Sequence, residues 1–282
     1  MLQKKRPMDA KTIGIAGLGL MGGSLAIALR KEYKNVTLYG YDHNSEHAKE
    51  ALELKLIDTI VDDYRKLNRC DVLFLATPID GSIEILQNLS DITKETTIID
   101  LGSTKALISN RTPEEIRENI VAAHPMTGTE KSGPNASFEG LYTDKTVVLC
   151  DMGKSGEYQQ EQAKKIFTDI GMKIVYMESK EHDRHAAYIS HMPHAISYAL
   201  ANSVMKQEDP KSIVALAGGG GALAADGHQL FTQGGGQRDG GQRIADPDAV
   251  DLLERVDALG PDHADQHRDV TFGEKVVELH GD

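Results

Sequence analysis

One short stretch near the start of the chain, GIAGLGLMGGS at residues 14–24, most constrains what the chain can fold into. Three of its glycines follow the G-x-G-x-x-G spacing between an apolar, strand-like run and a run with helical spacing. In such a unit Gly17 permits a tight turn, Gly19 lets the backbone approach a pyrophosphate, and Gly22 allows close packing of helix on strand. The residues predicted to hold a dinucleotide at this turn are Gly17, Gly19, Leu20, Met21 and Gly22.

An acidic residue at the end of the next strand-like run indicates which dinucleotide binds. The run VTLYGYD ends at Asp42, twenty residues past Gly22. A carboxylate at this position can accept hydrogen bonds from the adenosine ribose hydroxyls, and it repels a 2′-phosphate. The following residues, His43 and Asn44, supply no arginine for such a phosphate. The sequence therefore favours NAD over NADP as the cofactor.

Strand-like and helix-like runs continue to alternate over about 175 residues, which predicts an α/β fold with a doubly wound, mostly parallel sheet. At residues 178–182 the pattern changes to a long helical stretch, so a domain boundary is expected there. The predicted organisation is a disordered arm (1–11), a dinucleotide-binding domain (12–180) and a helical domain (181–282) that contains an atypical glycine-rich segment (217–248). A helix is also expected in residues 45–56, with Ser45 as its N-cap.

The charge balance excludes several classes of partner. The chain has 31 basic and 43 acidic side chains, a formal net charge of −12, whereas general binding to nucleic acid or to an anionic membrane requires a basic surface. It has no apolar run long enough to span a membrane. Its two cysteines, Cys70 and Cys150, lie at the edges of strand-like runs and are expected to be buried, reduced thiols of a cytoplasmic protein.

Polar residues follow two of the central strand-like runs. Thr77 and Pro78 end the run DVLFLATP, and Ser103 and Thr104 follow the run TTIID. In an open α/β sheet, ligands bind beyond the carboxyl ends of the strands, so these residues are expected along the nicotinamide side of the cofactor. For Ser103 and Thr104, capping of the following helix is an alternative that a cofactor role does not exclude.

The stretch AAHPMTGTEKSGP, residues 122–134, places a histidine at the same edge of the sheet. A histidine there is suited to take a proton from a hydroxyl while a hydride leaves for the cofactor, so His124 is the predicted general base. Thr127, Thr129 and two glycine N–H groups of the loop are ready donors for a small anion. This loop therefore predicts a catalytic site rather than a simple connection.

Taken with GLGLMGGS, DLGSTK and HDRHAAYISHMPH, this loop makes the sequence closely resemble the prephenate dehydrogenase family over residues 12–220. Membership would imply oxidative decarboxylation of prephenate by NAD, a step of tyrosine biosynthesis that gives 4-hydroxyphenylpyruvate. It would also imply a Rossmann-type domain followed by an all-helical dimerisation domain, and hence a homodimer.

The resemblance also assigns roles to residues. His124 would bind the ring hydroxyl and act as the base, while Ser103 would hydrogen-bond that hydroxyl and orient His124. Thr129 would contact the substrate, and His191 would line the same pocket from the helical domain. In the family a GGG segment precedes F-R-D-x-T-R-I-A, whose second arginine binds the substrate carboxylate. Here Arg238 and Arg243 are spaced one residue wider, and Arg243 is the candidate for this role.

The same sequence also fits several alternatives. Preference for arogenate, or a broad cyclohexadienyl specificity, would depend on contacts that the sequence does not fix. A β-hydroxyacid dehydrogenase is another reading of GLGLMGG, but those enzymes generally use a catalytic lysine. An NAD-binding protein that is inactive through its altered C-terminal region would keep the nucleotide site only. A metal site on the helix face with His182, His185, His191 and His194 lacks carboxylates or cysteines in register, so no metal is predicted.

Overall fold

The computed structural model describes residues 10–129 and 131–192, and within them the chain forms one sheet with helices on both faces. The strands are β1 (Thr12–Ala16), β2 (Thr37–Tyr41), β3 (Thr59–Ile60), β4 (Val72–Leu75), β5 (Thr97–Asp100), β6 (Ile120–Pro125), β7 (Thr146–Cys150) and β8 (Lys173–Met177). The helices are α1 (Leu20–Glu32), α2 (Ser45–Glu53), α3 (Ile79–Asn88), α4 (Ala106–Arg111), α5 (Glu157–Asp169) and α6 (Ser179–Ala186), followed by a π-helical turn (Ala187–His191).

The sheet has the order β3-β2-β1-β4-β5-β6-β7-β8. The strands from β3 to β6 are parallel, β7 runs antiparallel to β6, and β8 is parallel to β7. Chain order reverses direction at β1, with β2 on one side and β4 on the other. In a doubly wound sheet this switch point, at the carboxyl ends of the strands, is where ligands bind.

Alternation of side chains along the strands divides the core into two layers. On one face Ile13, Ile15 and Phe74 pack with α1, α2 and α5. On the other face Leu73 and Leu75 pack with α3 and α4. Both faces of the central strands β4, β5 and β6 are covered, which explains why their sequences are continuously apolar rather than alternating.

The antiparallel strand β7 brings α6 onto the second face. Because β7 and β8 both run toward the amino edge of the parallel strands, the chain leaves β8 at that edge. Helix α6 then packs against β7 and α4. Its first residue is fixed by Asp151, which accepts hydrogen bonds from the Ser179 N–H at 2.8 Å and the Ser179 hydroxyl at 2.9 Å. Asp151 also accepts a bond from the Ser109 hydroxyl at 2.6 Å, so one buried carboxylate joins α6 to α4.

The predicted fold class is confirmed, and every predicted strand is present. One local prediction was wrong: the N-cap of α2 is Asn44 rather than Ser45, because the Asn44 side chain accepts the Glu46 N–H at 3.0 Å. Cys70 and Cys150 are buried as predicted, and burial raises the pKa of each thiol to about 12.

The first compact unit of the chain extends to Ile189. The predictions for residues 1–9 and for residues 193–282, including the glycine-rich segment, lie outside the described residues. In the part of the chain that the structure describes, no helix has the length and hydropathy needed to cross a membrane. The predicted boundaries of the three segments stay predictions.

Candidate active site

The glycine turn between β1 and α1 has the geometry that its spacing predicts. Gly17 has a φ of +90°, and a Cβ there would lie 2.4 Å from the Ala76 carbonyl oxygen, so only glycine fits. A Cβ on Gly22 would lie 1.8 Å from the Gly17 carbonyl oxygen, which shows how closely α1 packs on the turn. Two of the three roles predicted from the motif are thus visible as contacts.

Gly19 differs from Gly17 and Gly22 because it faces open space. A Cβ built on Gly19 would have only the Gly133 nitrogen within 4 Å, at 3.9 Å. Gly19 is also the N-cap of α1, which has no side-chain cap and no acidic residue in its first turn. No side chain of α1 therefore binds the first N–H groups of the helix or offsets its positive dipole end. An anion site at a helix start requires both to be available. This region fits the pyrophosphate of a dinucleotide.

Two substitutions separate the roles of these glycines. Gly19→Ala should leave the free energy of unfolding nearly unchanged, because the φ of −70° suits alanine and the space is open. It should weaken dinucleotide binding by roughly 5- to 150-fold, the equivalent of about 1–3 kcal/mol of crowding. Gly22→Ala should reduce both stability and binding. Isothermal titration with NAD and urea denaturation of both variants would test this, and equal losses of stability would contradict it.

Asp42 supports the glycine turn from the end of β2. One carboxylate oxygen accepts the Leu18 N–H at 2.8 Å, and the other accepts the Asn44 N–H at 2.9 Å. The side chain is only 6% exposed, and His43 lies 3.3 Å from it. Asp42 therefore stands beside the turn, where the motif predicts it. Its contact with a ribose stays a prediction.

The carboxyl ends of β4 and β5 lie side by side, since Leu75 pairs with Asp100. This places Thr77 and Pro78 next to the segment with Ser103 and Thr104. The Thr77 hydroxyl is 2.9 Å from the Ser82 hydroxyl in the first turn of α3, and Ser103 is exposed.

The capping alternative for Ser103 and Thr104 is not what the structure shows. Helix α4 begins after Lys105 and has no cap from its own segment. Its first N–H groups are instead bound by Asp183 of α6, from Lys105 at 2.7 Å and from Ala106 at 2.8 Å.

His124 lies near the carboxyl end of β6, opposite Val148 of β7, on the face that α6 covers. Its Nδ1 is 2.8 Å from Nε2 of His182, with the two rings edge to face. His182 Nδ1 in turn is 2.8 Å from a carboxylate oxygen of Asp183. His182 is 2% exposed, while His124 is half-buried. The structure thus joins the predicted base to a buried histidine and a carboxylate.

Asp183 is charged in this arrangement. Burial alone would raise the pKa of its carboxyl, but hydrogen bonds from His182 and from the N–H groups of Lys105 and Ala106 outweigh burial and lower the pKa. At neutral pH the group is a carboxylate that only accepts hydrogen bonds.

The loop after His124 packs against the glycine turn. The Thr127 hydroxyl donates to the Leu141 carbonyl at 3.1 Å, and the Tyr142 hydroxyl donates to the Met21 carbonyl at 2.8 Å. Thr129 is exposed, and its hydroxyl oxygen accepts the Lys131 N–H at 3.2 Å. Further along the same segment, the Ser137 hydroxyl donates to the Gly19 carbonyl at 3.5 Å. The histidine loop and the nucleotide turn therefore border one edge of the sheet.

With this geometry established, comparison with known proteins decides the family. The family model described as the nucleotide-binding domain of prephenate dehydrogenase matches residues 25–176, more than half of the chain. The chain belongs to the prephenate dehydrogenase family. The model of that family's dimerization domain matches residues 178–225.

Two curated proteins and one solved structure illustrate the similarity. Prephenate dehydrogenase of Bacillus subtilis is 32% identical over 203 residues, which are 70% of this chain and 55% of that protein. Cyclohexadienyl dehydrogenase of Zymomonas mobilis is 31% identical over 201 residues, 70% of this chain and 69% of that protein. Prephenate dehydrogenase from Aquifex aeolicus, in complex with hydroxyphenyl propionate and NAD⁺, has a TM-score of 0.74 at 29% identity and covers 88% of this chain and 85% of its own. The chain thus spans little more than half of the B. subtilis protein.

The predicted prephenate dehydrogenase site is described only in part. His191 belongs to the π-helical turn by its backbone, and Arg238 and Arg243 lie outside the described residues. The partnership of His124 with His182 was not predicted, since His182 was weighed only as a metal ligand. In residues 10–129 and 131–192, no group of three or more His, Cys, Asp or Glu side chains could hold a metal ion.

Proposed function

We propose that this member of the family is an NAD-dependent prephenate dehydrogenase that converts prephenate to 4-hydroxyphenylpyruvate by oxidative decarboxylation. The observation that carries the proposal is the position of His124, at the sheet edge that the glycine turn and its own loop share. A proton acceptor beside a dinucleotide site is what oxidation of a hydroxyl by hydride loss requires.

Cofactor binding is assigned to the residues around the glycine turn. The open space at Gly19 and the uncapped start of α1 would hold the pyrophosphate, and Asp42 would contact the adenosine ribose. Thr77 and Pro78 would border the nicotinamide side. NAD, when bound, supplies the acceptor for the hydride that leaves the ring carbon bearing the hydroxyl.

His124 then has one task, which is to accept the proton of the ring hydroxyl as the carbon–hydrogen bond breaks. Loss of the ring carboxylate as carbon dioxide restores aromaticity, so the step needs alignment and polarisation more than further acid chemistry. Ser103 would hydrogen-bond the same hydroxyl, and Thr129 and His191 would contact the substrate. Arg243 would pair with the substrate carboxylate. These four assignments rest on the family motif.

A broader substrate range is the second candidate. The cyclohexadienyl dehydrogenase of Z. mobilis is as similar to this chain as the B. subtilis prephenate dehydrogenase is. Arogenate differs from prephenate in its side chain, far from the ring hydroxyl that His124 would serve. The same base therefore suits both substrates.

The proposal also includes a homodimer, a cytoplasmic location and use of NAD. The match to a dimerization domain supports the homodimer.

The first experiment is to follow NADH formation by absorbance, with NAD and either prephenate or arogenate, alongside calorimetric titration of NAD. Turnover with prephenate and a higher kcat/KM than with arogenate would support the proposal. Similar values for both substrates would support the broader range instead. NAD binding without turnover on either substrate would show that the chain is a nucleotide-binding protein and would overturn the enzymatic function.

A further inference from the structure

A continuous chain of hydrogen-bonding groups runs from the backbone of α4 to His124. The N–H groups of Lys105 and Ala106 are bound by Asp183, whose carboxylate also contacts His182 Nδ1 at 2.8 Å. His182 Nε2 contacts His124 Nδ1, again at 2.8 Å. Each of the two contacts between side chains has an imidazole nitrogen on at least one side. Which nitrogen carries the proton is therefore set by the groups at the end of the chain.

The carboxylate of Asp183 determines which ring nitrogen is protonated, first in His182 and then in His124. A carboxylate has no proton to give, so His182 Nδ1 must be the donor in its contact with Asp183. A neutral His182 then has its lone pair on Nε2, and this nitrogen can only accept. His124 Nδ1 must consequently carry the proton in the contact with His182. The lone pair of a neutral His124 is left on its other ring nitrogen, Nε2.

We propose that His182 and Asp183 are positioning residues that hold His124 in the tautomer with the proton on Nδ1, so that Nε2 is the atom that takes the proton of the substrate hydroxyl. This assignment rests on the proposed function only for the identity of the substrate. The tautomer itself is a property of the protein alone and can be measured without turnover.

The same chain of bonds also stabilises His124 after it has taken the proton. The resulting imidazolium donates from Nδ1 to His182, which is polarised by the carboxylate of Asp183 behind it. Hydrogen bonds in which one partner is charged are stronger than neutral ones, and burial strengthens them further. His182 is almost completely buried, so water does not compete for its ring. The positive charge of His124 is therefore stabilised through a hydrogen bond for which water does not compete.

The position of the histidine pair is determined by more than one element. Asp183 is bound by two backbone N–H groups at the start of α4, and the first residue of α6 is bound by Asp151. His182 cannot rotate without breaking its contacts with Asp183 and His124, and Asp183 is itself held by its bonds to α4. The arrangement thus combines a structural task, the capping of α4, with the orientation of His124, and the experiment must separate the two.

Two substitutions of His182 make that separation. In His182→Asn the amide can replace Nδ1 and still donate to Asp183, but it is too short to reach His124. In His182→Gln the amide oxygen can replace Nε2 and still accept from His124, while the bond to Asp183 is lost. His185→Asn is the matched control, because His185 is an exposed histidine one turn further along the same helix. Thermal denaturation of all three variants reports on folding.

The direct measurement is the tautomer of His124, read from long-range ¹H–¹⁵N correlations of the imidazole in the protein without substrate. The His124 signals are identified by their loss in His124→Asn. The parent and His185→Asn should show Nδ1 protonated and Nε2 unprotonated, whereas folded His182→Asn should show a mixture of tautomers. A parent protein with the proton on Nε2 would overturn the proposal, as would an unchanged tautomer in His182→Asn.

Kinetics provide a second readout. His182→Asn should lower kcat by about 10- to 100-fold with little change in KM, the size of effect seen when the hydrogen-bond partner behind a metal-binding histidine is removed. His182→Gln should retain more of kcat than His182→Asn does. A purely structural role would instead reduce both variants in proportion to their loss of folding, and that result would overturn the proposal. If the parent shows the expected tautomer but no turnover, the positioning role stands and the proposed function fails.

Discussion

His124→Asn is expected to lower kcat for NADH formation by about 10²- to 10⁴-fold, the usual contribution of a general base. The asparagine amide occupies the position of Nδ1 and can still donate to His182, so the contact that holds the residue is retained. What the variant loses is the second ring nitrogen. The expected defect is therefore in the chemical step rather than in folding or in cofactor binding.

The test is a comparison of kcat, of KM for prephenate and of the NAD dissociation constant between the parent and the variant. NAD affinity should remain within about twofold, because the pyrophosphate site lies at Gly19 and α1 on separate elements. His185→Asn makes the same chemical change at an exposed position and should leave kcat unchanged. Full activity of His124→Asn would mean that another group takes the proton.

The parts of this site that could be predicted are those whose geometry is local. The roles of Gly17 and Gly22 follow from a turn of six residues, and the structure shows the positive φ and the close approach that the spacing predicts. The central strands could also be predicted from the sequence, because a strand buried on both faces requires a continuous apolar run. The predicted N-cap of α2 was wrong by one residue, because Asn44 and Ser45 both have side chains suited to capping.

The partner of His124 could not be predicted because it depends on long-range topology. His182 is 58 residues further along the chain, and it reaches His124 only because β7 runs antiparallel to the other central strands. Periodicity distinguishes strand from helix, but it does not give strand direction. A weak signal was present: His182 and Asp183 are adjacent in the helix that follows the last strand, and a carboxylate next to an imidazole can orient it by a hydrogen bond.

Lys105 is another residue whose role was not predicted from the sequence. Its substitution is expected to have a large effect on stability. Lysine is almost never fully buried unless it is paired, yet Lys105 and its partner Asp100 are both 0% exposed. The ammonium group is in contact with the Asp100 carboxylate and donates to the Ala123 carbonyl at 2.8 Å. This ion pair therefore joins the end of β5 to Ala123 of β6, the residue before His124.

Lys105→Met is expected to lower the free energy of unfolding by about 3–5 kcal/mol. Methionine fills a similar volume, so the loss arises from leaving the Asp100 carboxylate buried without its counter-charge rather than from a cavity. Urea denaturation followed by circular dichroism measures the effect. Lys49→Met, which breaks the exposed pair of Lys49 with Glu46, is the matched control and should have a far smaller effect.

The double variant Asp100→Val/Lys105→Met tests the cause of that loss. If an uncompensated charge is responsible, removing the charge as well should restore much of the stability, because apolar replacements of buried ion pairs are often close to neutral. If the double variant is as unstable as Lys105→Met, the loss instead reflects the missing bond to the Ala123 carbonyl. In that case the position of β6 depends on Lys105, and since His124 is the next residue, kcat should fall in both variants by a similar factor.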